Sequence, residues 1–169
     1  MKRAASHWIA TGLGVGLLPR APGTAGSILG LAAATVFRLA AQSGITTRHL
    51  EWAMLAVTCG VGTWAAARYG QATGKADDQS IVIDEVTGQW ITTLPLAVDL
   101  TQPLESFAQW GVAFLLFRFL DIWKPWPIRP IDRWSKRLKR PFAQGLGVMV
   151  DDWIAAGIGA ALLYYLMPV

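Results

Sequence analysis

Apolar runs alternate with short charged connectors along nearly the whole chain. Ala21–Phe37 holds 17 residues without a charge and continues past Arg38 to Ala41. Trp52–Ala67 holds 16, Val86–Val98 13, Ser106–Phe117 12 and Trp153–Val169 17. No strict polar/apolar alternation persists, so each run reads as a helix rather than a strand. A clean membrane span needs about 20 apolar residues, and these runs reach it only if flanking charges sit at, or just inside, the interface. Runs this short also suit buried helices of a soluble bundle, but that requires polar outward faces. Trp52–Ala67 supplies only Thr58, Thr63 and the weakly polar Cys59. The pattern predicts an all-α, integral membrane helical bundle with about four or five membrane helices, as one domain over 1–169.

Ahead of these runs, Trp8–Leu18 is apolar but only eleven residues long, with Gly12, Gly14 and Gly16 inside it. Lys2 and Arg3 before it resemble the start of a signal peptide. No A-x-A-like site follows, and Pro19-Arg20-Ala21-Pro22 is a poor cleavage context. A short interfacial or buried helix is the expectation.

Composition strengthens the membrane reading. Hydrophobic residues make up 53% and charged residues 15%, where soluble domains carry about 25% charged; mean hydropathy is +0.37. The net charge of +4 suits nucleic acid or an anionic membrane surface, and the hydropathy selects the membrane, with no nucleic acid partner. The single cysteine, Cys59, excludes an internal disulfide and any C-x-x-C site. Seven basic residues lie between Lys124 and Arg140, and none between Asp99 and Glu105. The positive-inside rule therefore puts the Lys124–Arg140 loop and the N-terminus in the cytoplasm, and the basic stretch from Arg133 to Arg140 reads as a membrane-surface contact.

That topology sorts the acids. Asp84 and Glu85 fall at the inner start of the third run, Asp121 at the inner end of the fourth, and Asp151 and Asp152 at the inner start of the fifth. Helix dipoles account cheaply for acids at helix starts, at about 0.3–1 kcal/mol each. They do not account for Asp121 at a helix end, nor for Ile81-Val82-Ile83 and Val148-Met149-Val150 preceding the two acid pairs. Acids inside a membrane segment are costly and by default functional. Clustered carboxylates must hold protons or share a cation, and hard oxygen ligands beside a phosphate suit Mg²⁺.

Nearby cations fit a phosphate. Arg118, Asp121 and Lys124 share one helical face if the helix runs to Pro125; an internal ion-pair ladder that anchors to anionic lipid is the plainer reading. Pro22-Gly23-Thr24 opens the first run, with Thr24 a plausible N-cap and free N–H groups disposed toward an anion. Gly26-x-x-x-Gly30 reads as helix packing.

Four blocks in order, G-L-L-P-R-A-P-G-T-A-G-S (Gly16–Ser27), I-V-I-D-E (Ile81–Glu85), F-R-F-L-D-I-W-K-P-W-P-I (Phe117–Ile128) and G-V-M-V-D-D (Gly147–Asp152), resemble the phosphatidylglycerophosphatase A family. The resemblance spans roughly Ser6 to Tyr164. It implies an all-helical, Mg²⁺-dependent phosphatase that converts phosphatidylglycerophosphate to phosphatidylglycerol, as a multi-pass protein of the bacterial inner membrane with its active site facing the cytoplasm. Carried over, it places catalytic and metal-ligating roles on Asp84, Glu85, Asp121, Asp151 and Asp152. Phosphate-binding roles fall on Arg118, Lys124, Thr24 and Gly23, and the partners implied are the lipid substrate and membrane lipids.

The residues independently exclude other phosphatase chemistries. Cys59 has no C-x₅-R loop, no D-x-D pair exists, and His7 and His49 lack a phosphohistidine context. A metal-activated water is the preferred nucleophile, with acyl-phosphate formation on a carboxylate left open. A CDP-alcohol phosphatidyltransferase needs a D-G-x-x-A-R…G-x-x-x-D-x-x-x-D motif that is absent. A transporter or scaffold would place acids near the midplane, whereas here they are one-sided.

Overall fold

The computed structural model describes residues 5–40, 45–99 and 101–167; Lys2, Arg3, Ala41 and Val169, which enter the runs above, lie outside them. The chain folds as α1 (Ala5–Ala10), a 3-10 turn (Val15–Leu17), α2 (Pro22–Ala40), α3 (Ile45–Thr73), α4 (Ile83–Thr92), α5 (Pro103–Trp123), α6 (Ile128–Ser135) and α7 (Pro141–Leu166). Among the described residues there is no strand, as the absence of alternation predicts.

Among the described residues, three helices are long and apolar enough to cross a membrane: Pro22–Ala40, Arg48–Thr73 and Pro141–Leu166. That is fewer than the four or five expected. The 13-residue run from Val86 contributes only the ten-residue α4, which at about 1.5 Å per residue is too short to span. α5 is 21 residues long, but Glu105, Arg118 and Asp121 interrupt its apolar character.

The fifth run begins earlier than its uncharged stretch suggests. α7 starts at Pro141, so Asp151 and Asp152 sit ten and eleven residues inside a helix and not at its start. The dipole explanation is therefore lost for this pair. Both are buried, at 5% and 3% exposure.

α4 is the hub. Seven of its ten residues are buried, and α2, α3, α5 and α7 all pack on it. α2 approaches through Gly26 and Gly30. A side chain at Gly30 would collide with the backbone carbonyl of Val86, and one at Gly26 with the Val82 side chain, so the small-x-x-x-small pair is a packing device as expected. The N-terminal segment forms a short helix against α3 and a turn against α2, and the Val82 N–H donates to the Ala10 carbonyl at 2.9 Å. The apolar residues preceding both acid pairs now have a role. Ile81 and Ile83 join Val148 and Met149 in one buried cluster with Ala10, Ala65, Ala66 and Tyr69, which anchors α4 to α7 beside the carboxylates.

Candidate active site

Two chain segments converge where α4 begins. Asp84 and Glu85 lie in the first turn of α4, and Asp152 projects from the middle of α7. One carboxylate oxygen from each of Asp84, Glu85 and Asp152 lies within 4.8 Å of the other two. Asp84 Oδ1, Glu85 Oε2 and Asp152 Oδ2 are buried without a hydrogen-bond partner. A buried polar atom left unpaired is costly, and three anionic ones at this spacing repel one another as well. The α4–α7 junction is fixed close by, where Trp153 Nε1 donates to Thr87 Oγ1 at 3.0 Å.

The cluster opens into a cavity of about 540 Å³. Its walls carry Asp77, Asp78, Asp84, Glu85, Asp121, Asp132, Asp151 and Asp152, against the cations Arg118, Lys124 and Lys136. Eight of the chain's 11 acids thus face one space with three cations.

Each cation is paired with at least one acid. Arg118 Nη1 donates to Asp121 Oδ2 at 2.6 Å and to Ser27 Oγ at 3.3 Å, with Glu85 Oε1 at 3.9 Å; its Nε is buried and unpartnered. Asp121 therefore serves as the i,i+3 partner of Arg118, which accounts for an acid at a helix end. Lys124 leaves the helical face predicted for it. α5 stops at Trp123, and Lys124 takes a left-handed conformation (φ 45°) as its cap. From there its Nζ donates to Asp151 Oδ2 and, at 2.9 Å, to Asp132 Oδ1. Burial alone would lower the Lys124 pKa, but the Asp151 carboxylate, then Asp132, outweighs it and holds the ammonium above its usual value.

Sequence reasoning missed Asp132. It lies on α6, 11 residues after Asp121, and no motif marks it. Lys124 and Lys136 both reach it, Lys136 Nζ at 3.0 Å from its Oδ1. Burial would raise its pKa, but these hydrogen bonds prevail and hold it below the ordinary carboxylate range. Lys136, assigned from sequence to the surface-binding stretch, also lines the cavity while remaining about half exposed.

The opening of α2 completes the wall. Pro22 is the first residue of the helix, and the Ala25 N–H donates to the Ala21 carbonyl, so Ala21, not Thr24, caps it. Thr24 lies inside the first turn. A Cβ on Gly23 would collide with Glu85 Oε1 and lie 3.4 Å from Arg118 Nη1, so glycine at this position makes room for the acid–arginine contact. Gly23 and Thr24 both line the cavity.

This set of residues can be compared with known proteins. The family model for phosphatidylglycerophosphatase A matches residues 8–167. The chain belongs to the phosphatidylglycerophosphatase A family. It is 36% identical to phosphatidylglycerophosphatase A of Escherichia coli over 164 residues, covering 95% of this chain and 82% of that one. Against phosphatidylglycerophosphatase A of Haemophilus influenzae it is 33% identical over 150 residues, 89% of this chain and 81% of the relative. A Bacteroides thetaiotaomicron protein whose name carries a provisional phosphatidylinositol-3-phosphatase assignment is 34% identical over 160 residues, 92% of this chain and 88% of that one. No solved structure matches significantly.

As a member of the phosphatidylglycerophosphatase A family, the protein is a phosphatase. All nine residues put forward from sequence, Gly23, Thr24, Asp84, Glu85, Arg118, Asp121, Lys124, Asp151 and Asp152, line the one cavity. The five acids divide, however. Asp84, Glu85 and Asp152 form the tight group, whereas Asp121 and Asp151 are ion-paired to Arg118 and Lys124.

Proposed function

We propose that the protein is a Mg²⁺-dependent phosphatase that releases the terminal phosphate of phosphatidylglycerophosphate, at the cytoplasmic face of a bacterial inner membrane. The observation that carries this reading is the group of three buried carboxylates with orphaned oxygens, in one cavity with Arg118 and Lys124. The donor set is all hard oxygen, and the unpartnered atoms are those that a divalent cation would satisfy, so the residues fit Mg²⁺. Asp84, Glu85 and Asp152 would hold it. Once bound, the ion supplies Lewis-acid charge to the phosphoryl group.

The chain's own residues supply the rest. Arg118 is steadied by Asp121 and Ser27, and Lys124 by Asp151 and Asp132, so both cations are fixed before substrate arrives. Preorganised charge of this kind stabilises the equatorial phosphoryl oxygens as negative charge develops on them. The free Arg118 Nε and the opening turn of α2 at Gly23 and Thr24 add donors on the same wall. Water attacks phosphorus, the bond to the glycerol oxygen breaks, and the cavity carboxylate that takes the water proton passes it to the leaving glycerol oxygen. The three long apolar helices support a membrane location, and the basic excess between Lys124 and Arg140 supports the cytoplasmic side for the cavity. A phosphoinositide monophosphate is a second reading, favoured by the name of the Bacteroides relative.

Phosphate release by the purified protein in detergent tests both. Phosphatidylglycerophosphate, phosphatidylinositol 3-phosphate and phosphatidic acid are each supplied with Mg²⁺ and with excess chelator. Selective, Mg²⁺-dependent turnover of phosphatidylglycerophosphate is expected. Preference for the phosphoinositide moves the assignment to the second reading, and chelator-resistant turnover removes the metal.

A further inference from the structure

The acidic cavity does not end the space between α2 and α5. Further along the same two helices lies an apolar groove of about 480 Å³. From α2 it is lined by Ile28, Leu31, Thr35 and Leu39, which continue from Thr24 in the cavity wall at steps of three or four residues. From α5 come Phe107, Gly111 and Phe114, which lead at the same steps to Arg118 and Asp121. Residues three and four apart share one helix face. One continuous face of each helix therefore lines the charged cavity first and the apolar groove beyond it.

We infer that this groove seats the acyl chains of the lipid whose phosphate enters the acidic cavity; the inference rests on the lipid-phosphatase reading above. The dimensions suit such an occupant. From Ile28 to Leu39 the helix rises about 16 Å, close to the roughly 15 Å depth of one leaflet's hydrocarbon. From Thr24 to Ile28 it rises about 6 Å more, which leaves room for a polar headgroup between the reacting phosphate and the first methylenes. Chemistry changes along the path in the same order as in a lipid, from charge to hydrocarbon. The Thr35 hydroxyl is spent on the Leu31 carbonyl at 2.9 Å, so it presents no free donor to the groove. Polar groups appear only at the far mouth, at Ser106 and Asp99. Ile28 and Phe107 are 54% and 78% exposed, apolar surface left for lipid. At the middle of the groove, a Cβ built on Gly111 would meet nothing within 4 Å, so the groove is open at its centre.

That open position supplies the test. Gly111→Leu places a side chain in the groove and should lower the ratio of kcat/KM for dipalmitoyl over dibutyryl phosphatidylglycerophosphate by about tenfold or more, since several methylenes lose their contact. In parallel, a phosphonate analogue of the wild-type substrate, with a diazirine midway along one acyl chain, is photolysed on the protein and the labelled peptides are mapped. Label within residues 28–39 or 107–114 is expected, and label elsewhere overturns the proposal whatever Gly111→Leu does to folding. An unchanged chain-length ratio in a folded, active variant also overturns it. Wild-type protein that releases no phosphate from either lipid, yet labels in the groove, would instead fault the assigned reaction and leave the lipid site standing.

Discussion

Two groups of buried charge sit at opposite ends of α4, about 7.5 Å apart along the helix from Glu85 to Trp90, and they are built in opposite ways. At the C-terminal end, Arg38 faces Glu51, which is 2% exposed. Glu51 Oε1 accepts from Arg38 Nε at 2.9 Å, Arg38 Nη2 at 2.7 Å and Trp90 Nε1 at 3.0 Å. The remaining Arg38 nitrogen, Nη1, donates to the Thr93 carbonyl at 2.8 Å, while Arg48 Nη1 donates to the Leu94 carbonyl at 3.0 Å. The guanidinium also lies 5.1 Å from the Trp110 ring. Arg38 and Glu51 balance each other's charge, and two carbonyls just beyond the end of α4 receive cationic donors. At the N-terminal end, three carboxylates crowd together with orphaned oxygens. Buried charge that only holds a fold is paired within the chain. Charge left over, in a cavity, is what the proposed Mg²⁺ would balance.

The largest effect that sharpens this contrast is at the acidic end. Asp152→Asn and Asp84→Asn should each lower turnover by about 10²–10³-fold or more, the scale of removing one preorganised charged group. Thermal stability should hold or rise, because each change relieves repulsion among buried carboxylates. A calorimetric titration should show weaker Mg²⁺ binding. Full activity with normal Mg²⁺ affinity in Asp152→Asn would show that the crowded cluster is not the reaction centre.

Glu51→Gln should do the reverse. It leaves Arg38 buried without its counter-charge, which costs about 3–5 kcal/mol when a buried pair is broken, and the melting temperature in detergent should fall accordingly. The kcat per folded molecule should stay at the wild-type value. If kcat collapses while the melting temperature holds, the two ends are not divided as structure and chemistry.

The sequence disclosed these two ends unequally. The acid pairs, F-R-x-x-D-x-W-K-P and the Pro-Gly-Thr turn were legible because they are short, local patterns of residue types that a lipid bilayer penalises. The buried Arg38–Glu51 pair was not. Glu51 lies at an end of an apolar run and looks like any interfacial acid; only the packing of α3 and α2 against α4 turns it inward, where it meets Arg38 and Trp90. Asp132 was hidden for a related reason, since it joins Asp151 in holding Lys124 only after α6 folds back on α7. The start of α7 was misplaced because uncharged length was read as helix length. Pro141 marks the true beginning, as proline commonly does in a first helical turn. The span count failed on the same assumption, since the uncharged stretch from Val86 to Val98 breaks into a ten-residue helix and turns.

Between the two extremes stands the Lys124 clamp, which joins α5, α6 and α7. Asp132→Asn should weaken it, with a pH signature that can be worked out in advance. The Asp132 pKa is depressed in the fold, so its contribution is present above the unfolded value, about 3.9, and fades as pH falls through the folded value. The Lys124 pKa is raised, so its contribution is full below about 10.4 and fades only as pH climbs through the folded value. The Asp132–Lys124 contact is thus constant between about pH 5 and pH 9. The melting-temperature gap between wild type and Asp132→Asn should be flat across that range and close below about pH 4. A gap that changes steeply near neutrality would mean that another group controls the clamp. Lys124→Gln should also reduce kcat by about 10²-fold, as loss of a charge aimed at the phosphoryl group does, with Mg²⁺ affinity nearly unchanged.

The smallest effect belongs to Lys136, and its size decides where the active site stops. Its ammonium reaches Asp132 at 3.0 Å and Asp77 at 3.9 Å, yet its side chain is 54% exposed against 24% for Lys124. Exposed pairs of this kind are worth about 0–1 kcal/mol, because water screens the charge and a long side chain must be ordered to make the contact. Asp132 also keeps Lys124 as a partner when Lys136 is lost. Lys136→Gln should therefore change kcat less than about fivefold, and the small loss should shrink further as salt is raised, since screening already weakens the pair. Lys139→Gln with Arg140→Gln, two positions outside the cavity, should leave turnover in detergent at the wild-type level while weakening binding to anionic vesicles, where each basic residue is worth about 1 kcal/mol. A hundredfold loss in Lys136→Gln would instead extend the phosphate site across α6 and make the basic stretch part of the chemistry.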